Sequence, residues 1–121
     1  MALNNINVTN SSIGVLNTGN LEMVDSAITQ LNQDAGTADV SKAISQLANA
    51  IVASNELNIE KRNEAIEILS VIASEATAPK EKRRAGIIKP LLASLGSIIT
   101  PTANLLQIWQ FSQPIITTFF S

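Results

Sequence analysis

Carboxylates are the only side chains in this chain whose type points to acid–base catalysis, because the sequence contains no His, no Cys and no Tyr. Without His, the usual general base, the Ser/His triads and most transition-metal sites drop out. Without Cys, disulfides, thiol chemistry and zinc ribbons drop out as well. A glycosidase-like carboxylate pair could come from Glu64, Glu67 or Glu75, since that chemistry needs two carboxyls flanking one glycosidic bond. All three fall in one charged segment that reads as solvated helix surface, and no aromatic-rich sugar platform accompanies them. Neither an Asp-rich calcium loop nor a Gly-Lys-Ser/Thr phosphate loop is present. Asn17-Thr18-Gly19 before a helix could offer backbone N–H groups to an anion, but as a turn it needs no ligand. The expectation is a protein that is not an enzyme, with no catalytic residue, no metal site and no cofactor.

The elements that would carry any site follow from the distribution of charge. The 121 residues suit a single domain. Hydrophobic residues make up 45%, which is not a disordered composition. Only 15% are charged, against an average of about 25%, and the deficit hints at surfaces buried between chains or at a membrane. Residues 1–41 hold four acids and no base, residues 80–89 hold five bases, and residues 90–121 hold no charge. The net charge of −2 argues against general nucleic-acid binding. The N-terminus has neither a basic n-region nor an apolar h-region, so no secretory signal is expected. The matches to the N-glycosylation pattern at Asn7 and Asn10 are then read as chance.

Ile6-Asn7-Val8-Thr9-Asn10-Ser11-Ser12 aligns with Ile13-Gly14-Val15-Leu16-Asn17-Thr18-Gly19. Alternating β-branched residues followed by Asn, Ser or Gly form the pattern of a short strand and turn. Its repetition every seven residues suggests rungs of a β-solenoid or β-prism arm over residues 1–19. Two rungs do not bury a core alone, so several copies of the arm would wrap together. Short rungs suit a threefold prism, which makes a trimer the expected state. The alternative is a frayed terminus with accidental alternation.

Residues 20–121 read as a bundle of four to five helices, making the fold mainly α. Helix 1 is expected from Asn20 to Gly36, with Leu21, Val24, Ile28, Leu31 and Ala35 at heptad spacing. That stripe suits an oligomeric neck and equally a core-facing helix within the protomer. Ile6, Val8, Ile13, Val15, Leu21, Val24, Ile28 and Leu31 are therefore the expected oligomer interface. Helix 2 is expected over 37–54, capped by Thr37 or Asp39, with its stripe at Val40, Ala43, Ile44, Leu47, Ala50 and Ile51. Helix 3 spans 59–77, with Ile59, Ile66, Leu69, Ile72, Ala73 and Ala76 inward and Glu60, Lys61, Arg62, Glu64 and Glu67 outward, until Pro79 stops it. Helix 4 is expected over 81–100, with a kink or late start at Pro90 and a close contact at Gly96. Helix 5 opens at Pro101 and is broken or kinked by Pro114.

The basic residues Lys80, Lys82, Arg83 and Arg84 read first as a solvated corner between helices, next as a lipid contact and last as a nucleic-acid contact. Together with Trp109, Phe119 and Phe120 they are the candidates for lipid or partner contact. A basic cluster beside an uncharged tail matches the arrangement of the positive-inside rule. Ser94, Ser97, Thr100, Asn104, Gln107, Gln110 and Gln113 nevertheless interrupt the tail short of the ~18 apolar residues a bilayer span needs.

Ile13-Gly14-Val15-Leu16-Asn17-Thr18-Gly19 is similar to the β-repeat stretch of many bacterial proteins. The segments Glu56–Arg62 and Ala76–Arg83, with the ending Leu105–Trp109, Pro114-Ile115-Ile116 and Phe119-Phe120, resemble the helical tail that accompanies it in abortive-infection (AbiTii-type) and other phage-defence-associated proteins. The chain departs from that pattern at Gln113 and Ser121, where the family pattern has Gly. The resemblance carries over no catalytic residue. It implies an accessory or oligomerising part in bacterial anti-phage defence; with the residue inventory and charge above, the expectation is a non-enzymatic, homo-oligomerising scaffold or interaction module, cytoplasmic, with itself and a defence effector protein as partners and no nucleic acid. The alternative is a small membrane-active effector, pore-forming or membrane-disrupting, that inserts its uncharged C-terminal helices and is membrane-associated.

Overall fold

The computed structural model describes residues 18–33 and 35–120. Among these residues five α-helices follow one another: α1 (Thr18–Leu31), α2 (Ala38–Ala53), α3 (Ile59–Thr77), α4 (Ala85–Ile99) and α5 (Ala103–Phe120). Short 3₁₀ turns at Ala35–Thr37 and Lys80–Lys82 lead into α2 and α4. Among the described residues every regular element is helical, so the protein is mainly α. The expected β arm lies outside the described residues, apart from Thr18 and Gly19. These two belong to α1, so the helical region begins two residues before the expected boundary at Asn20.

The inner helices follow their apolar periodicity. In α2, Val40, Ala43, Ile44, Leu47 and Ile51 are buried, and in α3 so are Ala65, Ile66, Leu69, Ile72, Ala73 and Ala76. They share one core cluster with Val24 and Leu31 of α1, Leu95 and Ile99 of α4, and Leu105 and Ile116 of α5. Each aliphatic side chain so buried contributes roughly 1.5–3 kcal/mol. α1 packs on α2 and α3, α2 also packs on α3 and α5, and α4 joins α3 to α5.

Side chains set the boundaries where periodicity does not. α1 ends at Leu31, five residues before the expected stop at Gly36. The Thr37 hydroxyl donates to the Leu31 carbonyl, and the Ser41 hydroxyl donates to Asn32 Oδ1 at 2.6 Å. These bonds take the chain off the helix axis early, and they also mean that Thr37 does not cap α2 with its side chain. Ser54 ends α2, its hydroxyl accepting from the N–H groups of Glu56 and Leu57. Asn58 then caps α3, its side chain accepting from Lys61 N at 2.8 Å. Arg62 departs from the expected solvated face: it is half-buried and donates through Nη1 to the Val52 carbonyl in the last turn of α2.

Pro79 ends α3 as expected, with Ala78 extended before it. Helix α4 starts at Ala85 rather than residue 81, because the residues between are used to close the corner described below. Helix α5 starts at Ala103 rather than Pro101. The Thr102 hydroxyl turns back to the Ile99 carbonyl at 2.8 Å, and Asn104 N donates to the Glu56 carboxylate at 3.2 Å. A carboxylate at a helix N-terminus also suits the helix dipole. Pro90 and Pro114 both lie inside continuous helices. Both are on exposed faces, where water can satisfy the carbonyl that each leaves without a helical donor.

Candidate functional site

The three carboxylates singled out for catalysis do not form a pair. Glu64 and Glu67 are exposed on α3, and Glu64 sits 3.4 Å from Lys61. Glu75 corrects the expectation of a solvated surface residue: it is buried, with 9% of its surface accessible. Its Oε1 accepts from the backbone N–H of Arg84 at 2.9 Å, and its Oε2 accepts from Arg84 Nη2 at 2.7 Å. Hydrogen bonds from the Arg84 side chain, then from its backbone N–H, hold the Glu75 carboxyl below the usual carboxylate range against the opposing effect of burial. This is the chemistry of a structural clamp, since the carboxylate is occupied on both oxygens. No group of three His, Cys, Asp or Glu side chains able to hold a metal occurs among the described residues.

The basic run divides into two pairs. Arg83 donates to the carbonyls of Ala78 at 3.0 Å and Ala76 at 3.4 Å, closing the C-terminal turn of α3. Its guanidinium also lies 4.3 Å from the centroid of the Phe119 ring. Phe119 in turn meets Phe120 edge to face at 5.1 Å. Arg83, Phe119 and Phe120, grouped in the sequence as candidates for lipid or partner contact, form one corner that ties the end of α3 to the end of α5. Lys80 and Lys82 stay exposed.

Beside this corner, residues of α4 and α5 line an open groove of about 800 Å³. Its floor is apolar: Ile88 and Leu92 from α4, Trp109 and Phe120 from α5. Gly96 permits the close approach expected of it, since a Cβ there would stand 3.1 Å from Trp109 Cζ2. Lys89 is the single charged residue lining the groove. Trp109 and Phe120 are thus brought together, while Lys80 and Lys82 do not line the groove.

The expected oligomer interface is placed in part. Ile6, Val8, Ile13 and Val15 lie outside the described residues. Val24 and Leu31 are buried in the chain's own core, and Leu21 and Ile28 are half-buried against it. The heptad-spaced stripe is therefore filled by α2 and α3 of the same chain, the second of the two readings open to it.

Among the described residues, fold and site define a small bundle of five α-helices with an apolar groove between α4 and α5. No protein-family model, curated protein or solved structure matches the chain.

Proposed function

We propose that this chain is a non-enzymatic, homo-oligomerising scaffold or interaction module. The observation that carries the reading is the segregation of charge. All eighteen ionisable Lys, Arg, Asp and Glu side chains precede residue 90, so most of α4 and all of α5 present exposed surface with nothing ionised on it. A surface of this kind, with an apolar groove in it, suits contact with protein better than free solvation. The resemblance to phage-defence-associated proteins suggests bacterial anti-phage defence as the setting, a defence effector as a further partner, and the cytoplasm as the location. The N-terminal repeat, with Ile13 and Val15, would add a second assembly element with threefold symmetry.

The absolute mass of the full chain, by light scattering after size exclusion in detergent-free buffer, tests this reading. A discrete oligomer supports it, and a monomer at every concentration overturns it. Ile13→Asp lowers the mass if the arm contributes to assembly.

The competing reading, a membrane-active effector, rests on the same uncharged helices. No described helix is long and apolar enough to cross a membrane, so insertion would require several copies to shield their polar residues from lipid. Leakage from liposomes at concentrations where the protein is monomeric would favour it.

A further inference from the structure

The α4–α5 groove is apolar near its Gly96–Trp109 contact and polar about two turns away from it. Its lining residues recur every three or four positions, Lys89, Leu92 and Gly96 on α4 and Trp109, Gln113 and Thr117 on α5, so each helix contributes one strip. Only residues 100–102 join the two helices, and both strips run outward from that end. Gly96 stands against Trp109. Counted from there, Lys89 lies seven residues back along α4 and Thr117 eight residues on along α5, about two turns in each case. Leu92 lies between Lys89 and Gly96.

The polar end is electropositive. Lys89 is exposed, and among the described residues no carboxylate pairs with it. It sits in the N-terminal half of α4, whose start has no side-chain cap and bears the positive end of the helix dipole. Glu75 reaches that start through the Arg84 N–H, but its charge is matched by the Arg84 guanidinium. The Thr117 hydroxyl accepts from Gln113 Nε2 at 2.9 Å, which leaves its own hydrogen to donate. An ammonium and a hydroxyl beside an apolar strip suit a group with one negative charge and two acceptor oxygens, which is a carboxylate. A neutral occupant would gain nothing from Lys89, and a cation would be repelled by it. The volume of about 800 Å³ falls within the ~300–1,000 Å³ of small-molecule sites, which are mostly apolar with a few placed polar groups.

We propose that the α4–α5 groove binds a medium-chain fatty acid in its monomeric form. The carboxylate meets Lys89 and Thr117, and the chain lies over Leu92 toward the indole of Trp109, about 10 Å away along α4. The site is independent of the scaffold reading, since one chain supplies every residue it needs.

Trp109 is the single tryptophan, so its emission reports on the groove. In the full chain, decanoate kept below its micelle-forming concentration shifts that emission to the blue with saturation, and equilibrium dialysis counts one decanoate per chain. Lys89 and Ala93 are exposed, so variants at either position keep the helical circular dichroism of the wild type. Lys89→Met weakens decanoate about tenfold or more. Lys89→Glu exchanges decanoate for decylamine, and Ala93→Phe, which fills the groove, weakens both. Equal binding of decanoate and decylamine by the wild type, or a Lys89→Met variant as tight as the wild type, overturns the carboxylate site. An emission shift seen only with micelles or phosphatidylcholine vesicles also overturns it and assigns the face to a bilayer surface. A shift that follows protein concentration, with no decanoate bound, assigns the face to a second copy instead. Light scattering alongside separates this site from the scaffold reading: a monomer that binds decanoate keeps the site and ends that reading, and an oligomer that binds none does the reverse.

Discussion

Arg84 holds Glu75 through three hydrogen bonds: its backbone N–H to Oε1 at 2.9 Å, Nε to Oε2 at 3.0 Å and Nη2 to Oε2 at 2.7 Å. The two residues are nine apart in sequence and lie on either side of Pro79. Their pairing fixes where α4 leaves α3, because the backbone N–H that helps satisfy the carboxylate belongs to the residue before the first turn of α4. One partner is inward and the other outward, with the Glu75 side chain 11% accessible and that of Arg84 67% accessible.

Acid should release this clamp. The folded-state pKa of Glu75 is depressed from its ordinary value of 4.5. The stability the pair contributes is therefore fully present above about pH 4.5 and is lost as pH falls through the lower folded-state value. Glu75→Gln should melt several degrees below the wild type at neutral pH, and the two curves of Tm against pH should converge in acid. Parallel curves down to about pH 3 would mean the pair has no such linkage.

The stacking of Arg83 on Phe119 should appear as a coupling energy. Thermodynamic cycles on Arg83→Gln, Phe119→Leu and the double variant, followed by urea denaturation, should give about 0.5–1 kcal/mol of interaction. Arg83→Gln should be the costlier single change, since it also releases the carbonyls of Ala76 and Ala78. Strict additivity would reduce the ring contact to mere proximity.

Gly96 separates two effects of opposite sign. Gly96→Ala gains up to about 1 kcal/mol of helix preference, but its Cβ stands 3.1 Å from Trp109 and the indole must give by a few tenths of an ångström. Its stability should stay within about 1 kcal/mol of the wild type while Trp109 fluorescence changes. Gly96→Leu should cost about 1–3 kcal/mol by overpacking. An equally mild Leu variant would show that the indole is not held against this position.

Asn58 should matter more than its exposed position suggests. Its side chain accepts from Lys61 N at the start of α3. Asn58→Ala should lose about 1 kcal/mol, within a range of 0.5–2, and Asn58→Asp should keep most of it. Chemical denaturation of the two variants side by side is the check, and an Ala variant as stable as the Asp variant would refute the cap.

Helices α2 and α3 are legible in the sequence because α2 and the C-terminal two thirds of α3, from Ile66 to Ala76, carry apolar stripes at helical spacing, and Pro79 stops α3. The seam of α1 is legible as a stripe, but its partner is not: the same spacing serves a neighbouring helix of one chain or of several. The starts of α4 and α5 are misread from local signals, since Glu81 and Pro101 both suit a first turn. What displaces them is long-range, namely Arg83 and Arg84 reaching back to the end of α3 and Glu56 reaching forward to Asn104.

The sequence by itself determines the helical class, the inward faces of α2 and α3 and the uncharged character of everything after Lys89, because these depend on residue type and spacing alone. Only the tertiary structure decides that Glu75 is a buried clamp rather than a surface acid, that Arg83 meets Phe119, and that Trp109 and Phe120 share the floor of one groove. Each of those joins residues from different elements, and the distance between elements is set by the packing of the whole core rather than by any local pattern.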